Sequence, residues 1–268
     1  MNITIISSSK DPASQNIRNK LLKAARWKPV DKGCKYKNFR LVEIHALHIY
    51  QDGIDRRLED DGIKSDLLIF VSRHEGKDER PMLTVHFTGN VSEAKFGGRP
   101  RELAVAAPHA ARALLLSLKS SYDDVTMEAT HHGPSSLHTP SLYVEIGSTK
   151  NQWYLDAPAR IIANAILALK VISGRVAIGL GGSHYAPGQT KLLLASDIAF
   201  GHIFPDYALK HIDEALLKQA FEKSGTNLAY FDPRTSAQQR ERLRHLIHKL
   251  GYTMLRESDI RVYAHKNL

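Results

Sequence analysis

Short uninterrupted runs of apolar residues alternate along the chain with longer segments in which apolar residues recur at helical spacing. The runs predict buried strands, and the longer segments predict amphipathic helices. Strands are predicted at residues 3–6, 39–44, 67–71, 83–87, 125–129, 142–146, 175–180, 192–195, 228–230, 254 and 260–263. Helices are predicted at residues 13–27, 100–118, 156–172, 207–223 and 237–250.

This alternation predicts an α/β fold, in which helices flank a mixed, mostly parallel sheet. The chain of 268 residues is long enough to bury a core, and no repeat or linker divides it. We therefore predict a single domain over residues 1–268, with the hydrophilic stretch 47–66 as an excursion on it. No apolar run approaches the roughly 20 residues that span a bilayer. The N-terminus also lacks an export signal, so we expect a soluble, cytoplasmic protein without a membrane partner.

The charge of the chain favours an anionic partner. Lysine and arginine number 37 against 28 acidic residues, a formal net charge of +9. The excess is concentrated in the first predicted helix, and a second basic helix covers residues 237–250. Phosphate contacts would explain both helices, although a solvated basic face is an equally good interpretation. The candidate tRNA-binding residues of the first helix are Arg18, Lys20, Lys23 and Arg26.

The cysteine and histidine content restricts the metal chemistry. Cys34 is the single cysteine, which excludes an internal disulfide and a thiolate cluster. Any metal must therefore be held by imidazole and carboxylate groups. The chain has 14 histidines, and histidine is the commonest metal ligand in proteins.

Polar side chains lie in or directly after five of the predicted strands, in most cases close to a glycine. Ligands bind beyond the carboxyl ends of strands in open α/β sheets, so this recurrence predicts a polar site at one edge of the sheet. Each instance alone is a weak signal. The residues concerned are His74, His86, His131, His132, Glu145, Ser183 and His184.

Four of these positions leave an alternative open. Adjacent strand residues point to opposite faces, so His131 and His132 serve one site only if the backbone turns, which the following Gly-Pro permits. Otherwise one of them is a packing residue. Glu145 lies within an apolar strand and needs a metal, a cation or strong donors, and an ion pair with an arginine would satisfy it equally. His86 could be an ordinary core histidine.

The glycine-rich segment Gly181-Gly182-Ser183-His184 lets main-chain amides approach an oxyanion or a phosphate. It is followed by neither a Walker lysine nor a dinucleotide-binding pattern. The G-x-S-x-G elbow and the H-E-x-x-H motif are also absent from the sequence, which removes support for the usual serine hydrolases and zincins. His202 lies in a further Gly–Pro frame.

Five sequence blocks together resemble the archaeal-type D-aminoacyl-tRNA deacylases, over almost the whole chain. The block ATHHGPSSLHTPSLYVEIGST at 129–149 is the most specific. The others are SRHEG (72–76), HFTGN (86–90), GGSHYAP (181–187) and GHIFPDY (201–207). The resemblance implies an ester hydrolase that binds two zinc ions and removes D-amino acids from tRNA. It also implies a fold similar to peptidyl-tRNA hydrolases and purine nucleoside phosphorylases, in a monomer without an obligate protein partner.

The roles within such a site are hypotheses from position and residue type. Metal ligands are predicted at His86, His132, Glu145 and His184. Catalytic roles are predicted for His131 and His74, as general base or supporting groups, and for Ser183, whose amide would stabilise an oxyanion together with those of Gly181 and Gly182. Substrate contacts are predicted at Ser135, Thr149, Gly181, Gly182 and His202.

Three other functions remain open from the sequence. A metal-independent enzyme similar to peptidyl-tRNA hydrolase would use histidine as its base. A non-catalytic tRNA-binding protein would have only structural histidines. A small-molecule metallohydrolase would carry its positive charge incidentally, and histidines after strands combined with a basic surface argue against the last two.

Overall fold

Twelve strands form two sheets in the computed structural model, which describes residues 1–77 and 79–261. The larger sheet has eight strands in the spatial order β2-β3-β4-β1-β5-β8-β6-β7. Its strands are β1 (Ile3–Ser8), β2 (Lys28–Val30), β3 (Gly33–Tyr36), β4 (Phe39–Ile44), β5 (Leu67–Arg73), β6 (Met82–His86), β7 (Val125–Met127) and β8 (Ser141–Gly147).

Strand direction in the larger sheet alternates over β2, β3 and β4 at one edge and changes again between β8 and β6. Strands β4, β1, β5 and β8 run parallel to one another. Strand β6 pairs antiparallel with β8, and β7 runs parallel to β6. The carboxyl ends of β6 and β7 therefore lie at the opposite edge from those of β5 and β8.

The smaller sheet is entirely parallel and comes from the C-terminal part of the chain. Its strands are β9 (Val176–Leu180), β10 (Ala199–Phe204), β11 (Leu228–Phe231) and β12 (Thr253–Leu255), in the order β10-β9-β11-β12. The predicted α/β fold with a mixed, mostly parallel sheet is confirmed.

Helices cover both sheets. They are α1 (Pro12–Ala24), α2 (Ile54–Asp60), α3 (Pro108–Lys119), α4 (Lys150–Trp153), α5 (Asp156–Leu167), α6 (Pro187–Ala195), α7 (Asp206–Leu209), α8 (Glu214–Ser224), α9 (Ala237–Lys249) and α10 (Glu257–Arg261). A 3-10 turn spans His48–Tyr50. Helix α3 contacts β6 and β7 of the larger sheet and β10 of the smaller one, and thereby links the two sheets. No helix within the described residues has the length and apolar character that a membrane span requires.

Alternate residues of the central strands serve two different faces of the larger sheet. Helices α1, α3 and α5 cover the first face, where side chains such as Ile69 and Val144 are fully buried. On the second face Phe70 and Tyr143 pack beside α2. The next side chains on that face, two residues further along each strand, are polar. We call these two faces the helix-covered face and the site face. The segment 47–66 contains α2, which buries Ile54 against the site face.

Some predicted elements are wrong. The helix expected at 100–118 begins only at Pro108, because Leu103 and Ala106 make isolated bridges to Gly89 and Ser141. Residues 192–195 end α6 instead of forming a strand. The strand β10 was missed, since a glycine and a histidine interrupt its apolar run. Residues 260 and 261 belong to α10, and the rest of the strand predicted at 260–263 lies outside the described residues.

Candidate metal centre

Seven titratable side chains meet on the site face of the larger sheet. Their potential ligand atoms form overlapping groups in which all atoms lie within 4.8 Å of one another. We call this set the His–Glu cluster; it consists of His74, His86, Glu128, His131, His132, Glu145 and His184. The antiparallel pairing of β6 explains its position. Because the strand ends do not share one edge, the predicted edge site is wrong, and the residues meet on a face instead.

The register of the strands places these residues side by side. Ser72 pairs with Glu145, Glu145 pairs with Thr84, and His86 lies opposite Tyr143. The side chain of His74 follows two residues beyond Ser72, on the same face. Because β6 runs opposite to β8, His86 at the end of β6 lies next to the middle of β8, on the same face as Glu145.

Both histidines of the adjacent pair belong to the cluster. His132 has a φ of 44°, a left-handed conformation, so the backbone turns at the histidine pair, within the segment that joins β7 to β8. The ring centroids of His131 and His132 are 4.4 Å apart, and they lie 4.3 and 4.9 Å from that of His86. His86 is itself fully buried beside these rings. None of the three is therefore an isolated packing residue.

Glu128 lies at the centre of the cluster and was missed by the sequence analysis. Its Oε1 is 2.9 Å from Nδ1 of His74. Its Oε2 is 3.2 Å from Nε2 of His184 and 3.5 Å from Nε2 of His131. The signal was present in the sequence, because Glu128 lies within the strand predicted at 125–129 just as Glu145 lies within the one predicted at 142–146.

Glu145 is held by hydroxyl groups and histidines. Its carboxylate accepts hydrogen bonds from Ser72 Oγ at 2.5 Å and from Thr84 Oγ1 at 3.3 Å. Nε2 of His86 and Nδ1 of His74 lie 3.5 and 3.8 Å from its Oε2. Within the described chain, these two histidines are its ion-pair partners. The arginine partner that the sequence left open is not found there.

The electrostatics of the cluster favour ionised carboxylates beside neutral His131 and His132. Burial lowers the pKa of His86, but the nearby Glu145 raises it above the ordinary value. Burial opposes ionisation of Glu128, but hydrogen bonds from His184 and His74 hold its pKa well below the ordinary value. Burial and the nearby His86 together lower the pKa of His132 to about 4. The pKa of His131 is well below its ordinary value for the same reasons. The states of Glu128, His131 and His132 are those that a metal requires of its ligands.

The imidazole tautomers fit a metal centre. Nδ1 of His86, His131 and His132 each donates to a main-chain carbonyl, at 3.2, 2.8 and 2.7 Å. This bond leaves Nε2 of each ring as the atom that carries a lone pair toward the cluster, the usual arrangement of metal-binding histidines. Nε2 of His86 is buried without a hydrogen-bond partner in the described chain. The donor set is nitrogen and oxygen, which suits zinc.

The glycine turn after β9 packs closely against the segment that follows β11, and one of its three predicted oxyanion amides is already bonded. The Gly181 amide donates to the Phe204 carbonyl. A Cβ at Gly181 would lie 1.7 Å from Thr235 Oγ1, and one at Gly182 would lie 3.0 Å from Asp232 Oδ2. These glycines therefore allow close packing within the smaller sheet, which accounts for them without an oxyanion. Ser183 is exposed next to His184 and lies outside the cluster.

The other predicted substrate residues have structural partners. Ser135 Oγ donates to Glu102 at 2.8 Å and accepts from the Arg99 amide. Thr149 caps α4 through a capping box with Gln152. His202 is fully buried in β10, where Nε2 donates to the Ala104 carbonyl at 2.9 Å and Nδ1 contacts Thr130 Oγ1 at 3.0 Å; the structure brings none of these residues to the cluster.

Two of the four predicted tRNA-binding residues are already paired, and Arg26 lies just beyond the end of α1. Arg18 lies 3.5 Å from Glu43, and Lys20 binds Asp156. Lys23 and Arg26 are exposed. Helix α1 begins beside the cluster, where its N-cap residue Asp11 accepts the Arg73 amide, so its last turn points away from the site.

Comparisons with known proteins identify the family. The protein-family model described as D-aminoacyl-tRNA deacylase matches residues 61–255. The D-aminoacyl-tRNA deacylase of Methanosarcina acetivorans is 46% identical over 277 aligned residues, which cover 97% of this chain and 93% of that protein. That of Thermococcus kodakarensis is 38% identical over 270 residues, with coverage of 94% and 99%. The chain belongs to the D-aminoacyl-tRNA deacylase family, and the resemblance to its archaeal type is confirmed.

A solved structure supports the fold. The crystal structure of AF0625, a conserved protein of unknown function, superposes with a TM-score of 0.90 and 32% identity. The match covers 97% of each chain. The arrangement of both sheets is therefore that of a known crystal structure.

Proposed function

We propose that this protein hydrolyses the ester bond of D-aminoacyl-tRNA and releases the free D-amino acid and the tRNA. Membership of the deacylase family supports this reaction. The observation that carries it is the position of Glu128, whose carboxylate lies among His74, His131 and His184. His131 and His184 keep 29% and 31% of their side chains exposed, so a substrate can reach this side of the cluster. The reaction takes place in the cytoplasm, where aminoacyl-tRNA is used.

The cluster is suited to hold two zinc ions. In this proposal His86, His131 and His132 hold one ion, and His74, Glu128 and Glu145 hold the second, as two of the three groups of close ligand atoms suggest. Zinc would supply Lewis-acid polarisation of the ester carbonyl and make water a better nucleophile at neutral pH. The ligand role for His131 follows from its Nδ1, which is already bonded to the Ala129 carbonyl.

His184 is the residue we assign to proton transfer. Its Nε2–H donates to Glu128 Oε2 at 3.2 Å, and its Nδ1 faces the Tyr207 hydroxyl at 3.4 Å. Nδ1 is therefore the atom that takes the proton from the attacking water. The same atom returns a proton to the ribose oxygen as the tRNA leaves, while the Glu128 carboxylate stabilises the charged imidazole. The sequence suggested His184 as a metal ligand and His131 as the general base, and in this proposal the two residues exchange these roles.

The decisive experiment follows release of amino acid from D-Tyr-tRNA and L-Tyr-tRNA, with and without a chelator. We expect release from the D-form that is lost with the chelator and restored by added zinc. Elemental analysis of untagged protein should give between one and two equivalents of zinc. Activity that survives chelation would favour a metal-independent hydrolase, and binding of tRNA without release would favour a non-catalytic protein.

Two variants separate proton transfer from metal binding. His184→Asn should lower kcat by at least about 100-fold while the zinc content stays at the wild-type value. His132→Ala should lower both the rate and the zinc content, because it removes a ligand. Loss of zinc from His184→Asn would return that residue to the ligand set.

A further inference from the structure

A second cavity lies directly beside the His–Glu cluster, between β7, α6 and the segment that joins β9 to α6. Its volume is about 630 Å³, within the range of small-ligand sites. We call it the adjoining cavity; its walls include Arg80, Thr126, Ser183, Tyr185, Thr190 and Lys191.

The adjoining cavity and the cluster share the same chain segments. Ser183 and Tyr185 line the cavity, while His184 between them reaches Glu128 in the cluster. The Tyr185 hydroxyl lies 3.1 Å from His74 Nε2, and Thr126 Oγ1 donates to the Tyr185 carbonyl at 2.7 Å. A ligand held against Tyr185 would therefore extend to within a few ångströms of the reacting centre.

The walls combine an aromatic ring with charges of both signs, because Asp123 and Asp124 line the cavity together with three basic residues. The Arg80 guanidinium lies 5.8 Å from the centroid of the Tyr185 ring, and it also pairs with Asp124 at 3.2 Å. Lys119 is bound to the Asp123 carbonyl. Lys191 is exposed at the rim, and within the described residues its ammonium makes no hydrogen bond or ion pair. The cavity thus offers a ring face for a base and one uncommitted cation for a phosphate.

We propose that the adjoining cavity binds the 3′-terminal adenosine nucleotide of the tRNA. The base lies against Tyr185, and its 5′-phosphate is neutralised by Lys191. This rests on the proposed function, since the ester to be cleaved is carried by the ribose of that same nucleotide. A nucleotide in this cavity places its ribose at the boundary formed by Tyr185 and His184, next to the cluster.

The test compares binding of uncharged tRNA with binding of the same tRNA trimmed of its terminal adenosine nucleotide. Filter binding at fixed salt requires no catalysis. Wild-type protein should prefer the complete tRNA by at least about fivefold, as expected for the loss of one stacked base. Lys191→Gln removes the phosphate contact but leaves the stacked base, and should lower this preference by about two- to fivefold. Lys218→Gln on α8, which changes another exposed helical lysine, should retain the full preference.

The tyrosine gives a second and independent readout. Tyr185→Phe preserves the ring and should keep the preference for complete tRNA, whereas Tyr185→Leu should lose it. Only binding is compared for these variants, because the hydroxyl touches His74. In steady-state deacylation of D-Tyr-tRNA, Lys191→Gln should raise KM roughly two- to fivefold and leave kcat within about twofold, the effect of losing one solvent-exposed ion pair.

The outcomes distinguish this proposal from the proposed function. Equal affinity of the wild-type protein for complete and trimmed tRNA would overturn the adjoining cavity as a nucleotide site, even if deacylation is observed. An unchanged preference in both Lys191→Gln and Tyr185→Leu would do the same. A wild-type protein that prefers the complete tRNA but releases no D-tyrosine would contradict the proposed function and retain the nucleotide site.

Discussion

The two faces of the larger sheet are built from the same strands, but one face packs against helices and the other carries the candidate site. In β5 and β8, Ile69 and Val144 enter the helix-covered face, while Ser72 and Glu145 enter the site face. On the site face the apolar Phe70 is followed by the polar Ser72, and Tyr143 is followed by Glu145. In each strand these are successive side chains on the same face. The stability of the protein and its chemistry are thus encoded at alternating positions, so mutations can separate the two properties.

The largest expected effect comes from the centre of the site face. Glu128→Gln keeps the shape of the side chain but removes the charge that His74, His131 and His184 share, and should lower kcat/KM by at least about 100-fold. Release of D-tyrosine from D-Tyr-tRNA measures this. Glu145→Gln should behave similarly, with native circular dichroism in both variants. Glu222→Gln on exposed α8 is the matched control, and a near wild-type rate for Glu128→Gln would show that the cluster is not the active site.

The helix-covered face should show the converse behaviour. Ile69→Ala removes fully buried methyl groups and should lower the free energy of unfolding by about 2–5 kcal/mol. Urea unfolding measures this change. The folded variant should retain wild-type zinc content and a kcat within about threefold. Loss of zinc at low urea would show that the two faces are energetically coupled and would weaken the comparison.

A smaller effect concerns a histidine that shares the site face without belonging to the cluster. His48 packs edge-on against Phe70 and Tyr143, and burial lowers its pKa to about 4. The unfolded chain takes up the proton near pH 6.5, so the contribution of neutral His48 is present above that pH and is lost as the pH falls toward 4. The free energy of unfolding should drop by about 2 kcal/mol from this residue between pH 7.5 and pH 5.

The measurement is urea unfolding of the wild type and of His48→Gln at both pH values. The variant should show a correspondingly shallower dependence on pH. His245→Gln, on exposed α9, serves as the control and should retain the wild-type dependence. Parallel curves for wild type and His48→Gln would mean that the imidazole is not held neutral in the folded protein.

The smallest effect is expected far from both faces, at the end of α1. Changing Lys23 and Arg26 together to glutamine should raise KM for aminoacyl-tRNA only about two- to threefold, because these residues are exposed and point away from the site. If both contact phosphates, the log–log salt slope of tRNA binding should flatten by roughly 0.7 to 0.9 per residue. An unchanged slope would identify this charge as a solvated surface.

The sequence predicts the fold better than it predicts the geometry of the site. Apolar runs locate most central strands because burial on both faces requires them. The pattern does not predict β10, because Gly201 and His202 interrupt its apolar run. Both residues are explained by packing, and His202 bonds to the Ala104 carbonyl inside the core. Such a residue has the same appearance in sequence as a site histidine, and only its partners distinguish the two.

For the site, residue type was informative and strand direction was not available. His86 and Glu145 were expected to meet at an edge because their strands were taken as parallel. A sequence does not specify which strands pair or in which direction, and the antiparallel β6 moves the meeting point onto a face. Glu128 was overlooked beside the two histidines that follow it, although a carboxylate directly after a buried strand carries the same cost as one within it.

The path of the chain through the cluster has a consequence for folding. Its members come from both sheets, beginning at His74 and ending at His184, which follows the first strand of the smaller sheet. A nascent chain that ends before this strand cannot assemble the complete set. Metal uptake would accordingly report that the two sheets have docked, and it would stabilise the docked state because the unfolded chain offers no preformed site. A slow, zinc-dependent late phase in refolding would be the kinetic signature of this closure.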